Sequence, residues 1–229
     1  MGGNNCCYRV IKSDNDFSRG IPVRVRAIVA VIIGAIVLTG CSETPKQAGS
    51  AVIVNGKVIS AAEVSQRVDK VRAQIQGSDA SLIAEVPSLV QITQRAIDHY
   101  VLVSLLDEVV KRENININDN QVASYRDEIF AQYTQAAVEA QLVSQNAVPA
   151  DDVDGFMYEI LVQRALIELL APGADTQTRN QALIDYMTDL SKEVGVELNP
   201  RYGTWDPSNL MSTPGDSTLA VPLPKLLGQ

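Results

Sequence analysis

The side chains with chemistry of their own are few: three cysteines, Cys6, Cys7 and Cys41, and one histidine, His99. Cys41 is the most pointedly placed. It closes an aliphatic run through the small pair Thr39-Gly40 and passes at once into Ser-Glu-Thr-Pro. A thiolate is the strong nucleophile among side chains. His99 stands mid-helix between Asp98 and Tyr100 and reads as a surface or partly buried helical histidine. Asp151, Asp152 and Asp154 lack the spacing of a calcium loop and are explained by the start of a helix. A metal site would need clustered histidine, cysteine or carboxylate ligands, so no metal is expected. No nucleophile elbow, phosphate loop or dinucleotide fingerprint is present, and neither a catalytic residue nor a cofactor is expected.

What surrounds Cys41 decides its role. Arg24 and Arg26 precede Ala27 to Leu38, twelve residues without a charge or a polar side chain. A bilayer span needs roughly 20 apolar residues, whereas about 10–14 suit the core of a signal peptide. Leu38-Thr39-Gly40-Cys41 resembles a lipobox, the mark of bacterial lipoprotein precursors. The resemblance implies that the Cys41 thiol takes a diacylglycerol and that cleavage between Gly40 and Cys41 leaves the cysteine as first residue. An ordinary secretory signal that ends near a cysteine is the alternative. Against it, Cys6 and Cys7 lie upstream, so Cys41 would be a lone free thiol on a secreted protein. At about 0.8 kcal/mol per buried CH₂, one acyl chain such as palmitate holds marginally and two or three hold firmly. The protein is therefore expected to be a lipoprotein anchored outside the cytoplasmic membrane and not spanning it. Residues 1–22 form a long mixed-charge lead, and the true start is expected at Val23 or Val25.

Charge separates this leader from the body. Residues 1–40 hold five of the 19 cations and two of the 27 carboxylates, which leaves 14 against 25 and a net of −11. A body so acidic argues against nucleic acid, since it would release no phosphate counterions. It argues equally against electrostatic adhesion to anionic lipid. The expected organisation is a signal peptide over 1–40, a lipidated cysteine and flexible tether over 41–50, a folded domain over 51–205 and a disordered, proline-containing tail over 206–229.

The folded part reads as mainly α, with about five helices and a small β element made by an N-terminal hairpin and a C-terminal return strand. AVIVNGKVIS sets Asn55-Gly56 between two β-branched runs, the strongest short hairpin signal. Ser60 and Glu63 form a capping box for a first helix with the stripe Val64, Val68, Val71 and Ile75. A long second helix starts near Pro87 and is apolar on most sides, as a helix with several neighbours must be. Its last turns offer the pairs Asp107 with Lys111 and Glu108 with Arg112. A third helix, capped by Asn118 and Gln121, is expected to run to about Gln145 on the stripe Val122, Tyr125, Ile129, Tyr133, Ala136 and Ala140. Fourth and fifth helices follow Pro149 and Gly173. Val196-Glu197-Leu198 reads as a short strand that must pair with the opening hairpin.

Three passages carry a resemblance to the SurA/PrsA class of extracytoplasmic folding factors, specifically their N-terminal chaperone domain. AVIVNGKVISAAEV is similar to that family's first strand and helix start, KRENININDNQV to its helix-to-helix link, and VELNPRYGTWDP to its return strand. Many relatives add a parvulin isomerase domain with paired histidines, for which this domain has neither room nor residues, so isomerase activity is not carried over. The resemblance implies an ATP-independent binder of unfolded or newly translocated secreted polypeptides. Tyr125, Phe130, Tyr133, Phe156, Met157, Tyr186 and Met187 are the candidates for a client cradle, since methionine repacks cheaply and aromatics offer area. Such stripes are more often core, and both roles stay open at this point. Arg201, Tyr202 and Trp205 are expected to pin the return strand, with Trp205 against the helices. The rival reading is a structural or assembly lipoprotein that binds one folded envelope partner.

Overall fold

The computed structural model describes residues 49–215. The expected signal peptide over 1–40, Cys41 and the last part of the expected tail, 216–229, lie outside the described residues. The chain opens with strands β1 (Ser50–Val54) and β2 (Lys57–Ser60). Asn55 (φ 49°) and Gly56 (φ 76°) both sit at positive φ, which is what a type I′ turn requires of its two central residues. Val52 faces Ile59 and Val54 faces Lys57 across the hairpin.

Helix α1 (Ala61–Gly77) starts on the expected box: Ser60 Oγ accepts from the Glu63 amide at 3.1 Å and the Glu63 carboxylate accepts from the Ser60 amide at 2.7 Å. Its stripe Val64, Val68, Val71 and Ile75 is buried. Helix α2 (Leu89–Glu113) carries a second capping box, Ser88 with Gln91, and ends on Asn114 in the left-handed region. Packed against α1, β1 and three further helices, α2 buries Ile97, Leu105 and Leu106 almost completely. Each such side chain contributes about 1.5–3 kcal/mol. Of the pairs expected at its end, Glu108 with Arg112 forms at 3.0 Å, whereas Asp107 reaches Lys57 of the hairpin at 3.2 Å.

The expected third helix is two: α3 (Asp119–Gln132) and α4 (Gln135–Asn146). Tyr133 closes the first with extended backbone, and the Thr134 hydroxyl caps the second by accepting from the Ala137 amide at 3.3 Å. This brings the count to six helices among the described residues, with α5 (Val153–Leu170) and α6 (Thr176–Val194). The break frees the halves to choose different neighbours: α3 packs on α5, and α4 on α1 and α2. Among the described residues, no helix is long and apolar enough to cross a membrane.

The ends of the domain meet. Strand β3 (Val196–Leu198) pairs antiparallel with β1, Val52 opposite Leu198 and Val54 opposite Val196, so the sheet runs β2-β1-β3 with the first strand in its centre. The chain then continues where disorder was expected. Strand β4 (Thr204–Asp206) pairs with β5 (Met211–Thr213), so ordered structure extends past Asp206. The physical reason is local: the Ser212 amide donates to Asp98 of α2 at 2.7 Å, and Trp205 Nε1 donates to Ser191 of α6 at 2.8 Å, which hold both strands to the helices.

Candidate functional site

Two hydrophobic clusters fill the domain. The larger lies around α1, α2 and β1; the smaller joins Val122 and Tyr125 of α3, Leu142 of α4 and Met157 of α5, with Val148 and Val153. The smaller cluster is incompletely covered. A cavity of about 210 Å³ opens into it between α3, α4 and α5. Met157, 2 % exposed, lies beneath it, Phe156 and Ile160 line one wall from α5, and Val138 and Leu142 line another from α4. Tyr125 contributes its ring from α3; its hydroxyl accepts from Arg164 Nη2 at 2.9 Å while the guanidinium lies 4.4 Å from the ring centre. That cation–π contact fixes the ring and leaves its other surface to the groove. Tyr133, at the break between α3 and α4, is 61 % exposed at the rim.

Four of the seven cradle candidates, Tyr125, Tyr133, Phe156 and Met157, thus come together in one groove. Three do not. Phe130 packs on the same cluster but turns toward a polar cavity among Arg126, Asp127, Glu139 and Asp154. Met187, 2 % exposed, is part of the larger core. Tyr186 packs against that core, and its hydroxyl donates to Glu113 Oε1 at 2.6 Å. Burial and that carboxylate push the Tyr186 hydroxyl up to about 12. Both residues belong to α6, which faces α5 and α2 away from the groove walls, so they serve packing. The sequence reading missed Val138 and Leu142. They lie four apart on α4, a spacing that signals one helix face once the break at Tyr133 resets the phase.

A polar node lies on the other side of α5. Arg67 of α1 donates through Nη2 to Asp152 Oδ2 and through Nη1 to the Ala147 carbonyl at 3.0 Å. His99 is buried, and its Nε2 stands 3.6 Å from Asp152 Oδ2 and 3.6 Å from Glu159 Oε1. Burial pushes the imidazole down, so it is neutral at pH 7. Burial would raise Asp152 as well, but the nearby His99 and the Arg67 guanidinium bound to it outweigh burial and hold the carboxyl low. Glu159 has no such help. Its Oε2 is buried with no partner, and burial together with the nearby Asp152 charge pushes the carboxyl up to about 8. Asp151 pairs with Lys70 at 2.6 Å. The aspartates at this helix start therefore tie α5 to α1, and among the described residues no group of three or more histidines, cysteines or carboxylates is placed to hold a metal ion.

Return-strand residues serve structure, as expected: Trp205 packs on the larger core, and Arg201 stacks 5.3 Å from the ring of Tyr202. Compared with known families, residues 18–131 match the family model of the SurA-like N-terminal domain, which runs from before the described residues through β1, β2, α1, α2 and most of α3. No curated protein and no solved structure matches the chain.

Proposed function

Because the chain belongs to the family of the SurA-like N-terminal domain, we propose that it holds unfolded or newly translocated secreted polypeptides, without ATP, by weak apolar contacts. The matched domain is of chaperone type and is not a catalytic one. The observation that carries the proposal is the open groove between α3, α4 and α5. Its apolar walls, built of tyrosine, phenylalanine, methionine and aliphatic side chains, suit many sequences, because aromatics supply area and methionine adapts its shape. Its size fits one or two apolar side chains of an extended segment. A 210 Å³ space does not admit a helix about 10 Å across.

The proposal includes location. Cys41 carries the lipid, the signal is cleaved between Gly40 and Cys41, and the domain works at the outer face of the cytoplasmic membrane. Residues 42–49 join the lipid-bearing cysteine to β1, which begins at Ser50. Anchoring raises the effective concentration of the groove where translocated chains emerge. The net of −11 beyond residue 40 limits non-specific sticking and makes nucleic acid an unsuitable partner.

Light scattering tests the proposal. A chemically unfolded model protein is diluted with and without a near-stoichiometric amount of the purified chain. Suppressed aggregation is the expected result. Full aggregation beside a folded chain would sink the proposal and turn the search to a single envelope partner.

A further inference from the structure

The node of Arg67, His99, Asp152 and Glu159 has a proton problem that geometry alone exposes. Arg67 serves Asp152, and the single Nε2 of His99 stands equidistant, at 3.6 Å, from two carboxylates. One N–H cannot satisfy both. Asp152 has the guanidinium beside it and is 35 % exposed, while Glu159 is 7 % exposed with an oxygen that meets no donor. The proton that Glu159 needs must be its own. The one cation that reaches it, Arg67 of α1, is bound to Asp152, and its pull is weaker than burial and the Asp152 charge. Also from α1, Glu63 and Lys70 stand further out beside Asp152, Lys70 paired with Asp151; from α2 come His99 and, further along, the like charge of Asp107. The cations near α5 on α3 and α6 are engaged elsewhere, Arg126 with Asp154 and Arg179 with Glu168.

We propose that this node is a protonation latch: the proton on Glu159 seats α5 on α1 and α2, and its loss loosens α5 and with it the groove wall that the same helix supplies. Phe156, Met157 and Ile160 lie within one turn of Glu159, so a shift of α5 at the node moves the groove lining directly. The second half of the proposal, the coupling, rests on the groove reading above; the first half stands without it.

The sign follows from linkage. In the unfolded chain glutamate ionises near 4.3, and in the fold near 8, so between those values the folded state binds the extra proton and stability falls as pH rises. His99 works in the opposite sense below about 6.5, where the unfolded imidazole takes a proton that the buried one refuses. Between about 6.5 and 8 the Glu159 effect acts unopposed, and the folding equilibrium constant falls by up to about ten-fold per pH unit.

The experiment follows urea unfolding of the full chain and of Glu159→Gln through the fluorescence of the single tryptophan, Trp205, from pH 6.5 to 8.5. The native chain is expected to lose stability across this range and Glu159→Gln to hold it constant; equal slopes in the two would overturn the latch. Should Glu159→Gln fail to fold, infrared spectroscopy of the native chain decides. A protonated carboxyl band at pH 7, where exposed carboxylates are ionised, that disappears toward pH 8.5 supports the latch, and its absence at pH 7 overturns it. An apolar fluorescent dye reads the coupling. Uptake that rises with pH in the native chain and stays flat in Glu159→Gln is expected. Uptake flat in both overturns the coupling, without bearing on whether the groove takes clients.

Discussion

Met157 and Tyr133 lie at opposite depths of one groove, and truncating each asks a different question. Met157 is 2 % exposed, so Met157→Ala leaves a hole in the smaller cluster and should cost about 2–4 kcal/mol, read from the urea midpoint. Tyr133 is 61 % exposed at the groove rim. Tyr133→Ala should therefore move stability by less than about 0.5 kcal/mol while weakening suppression of aggregation. Arg67→Ala is the severe change at the node. It strips Asp152 of its partner and the Ala147 carbonyl of its donor, and should cost about 2–3 kcal/mol, again in the urea midpoint. If Arg67→Ala were neutral, the ion pair would be ornamental and α5 would be held by its apolar contacts alone.

At the scale of elements, the return hairpin depends on Gly203. Its φ is 113°, and a Cβ there would lie 1.8 Å from the Thr213 carbonyl oxygen, backbone that has no room to yield. Gly203→Ala should separate β4 from β5 and cost about 3 kcal/mol, with Trp205 fluorescence shifted toward that of exposed indole. Legibility in the sequence also divides by element. The β1–β2 turn and the first capping box are written in short local patterns, Asn-Gly and Ser-x-x-Glu, that have one good physical solution. The break between α3 and α4 is not. The apolar stripe passes from Tyr125 through Ile129 and Tyr133 to Ala136 and Ala140 without a glycine or proline, and Thr134 lacks the glutamate or glutamine three residues on that would have completed a box. The Thr134 cap alone is a weak local signal, and the helices part because their tertiary partners differ: α3 gains α5, while α4 gains α1 and α2. That hidden break cost the reading Val138 and Leu142. Tyr186 and Met187 lie against the larger core for a reason of another kind. Adjacent large residues on an amphipathic helix say that one face is buried but not against which neighbour.

At the scale of the whole molecule, the fold is closed by residues 140 or more positions apart. The central strand β1 owes one of its two hydrogen-bonded edges to β3, and the Asn199 side chain donates through Nδ2 to the Ser50 carbonyl at 3.0 Å to extend that seam. Removing residues 196–215 would strip β1 of that edge and the larger core of Trp205 and Leu210. A chain so shortened should lose its cooperative urea transition, and a retained sharp transition would show that the helices fold without the seam. The seam lies against the larger cluster, whereas the groove opens into the smaller one between α3, α4 and α5.

The most direct test of the account places a photo-activated cross-linker at Tyr133, on the groove rim, and in a second chain at Val58, on the hairpin. The two positions are similarly exposed, 61 % and 55 %, so exposure alone would label them alike. With an unfolded model protein present, adducts are expected from position 133 and few from 58. Equal labelling, or adducts from 58 alone, would contradict the account and show that apolar stickiness, not the groove, captures the chain.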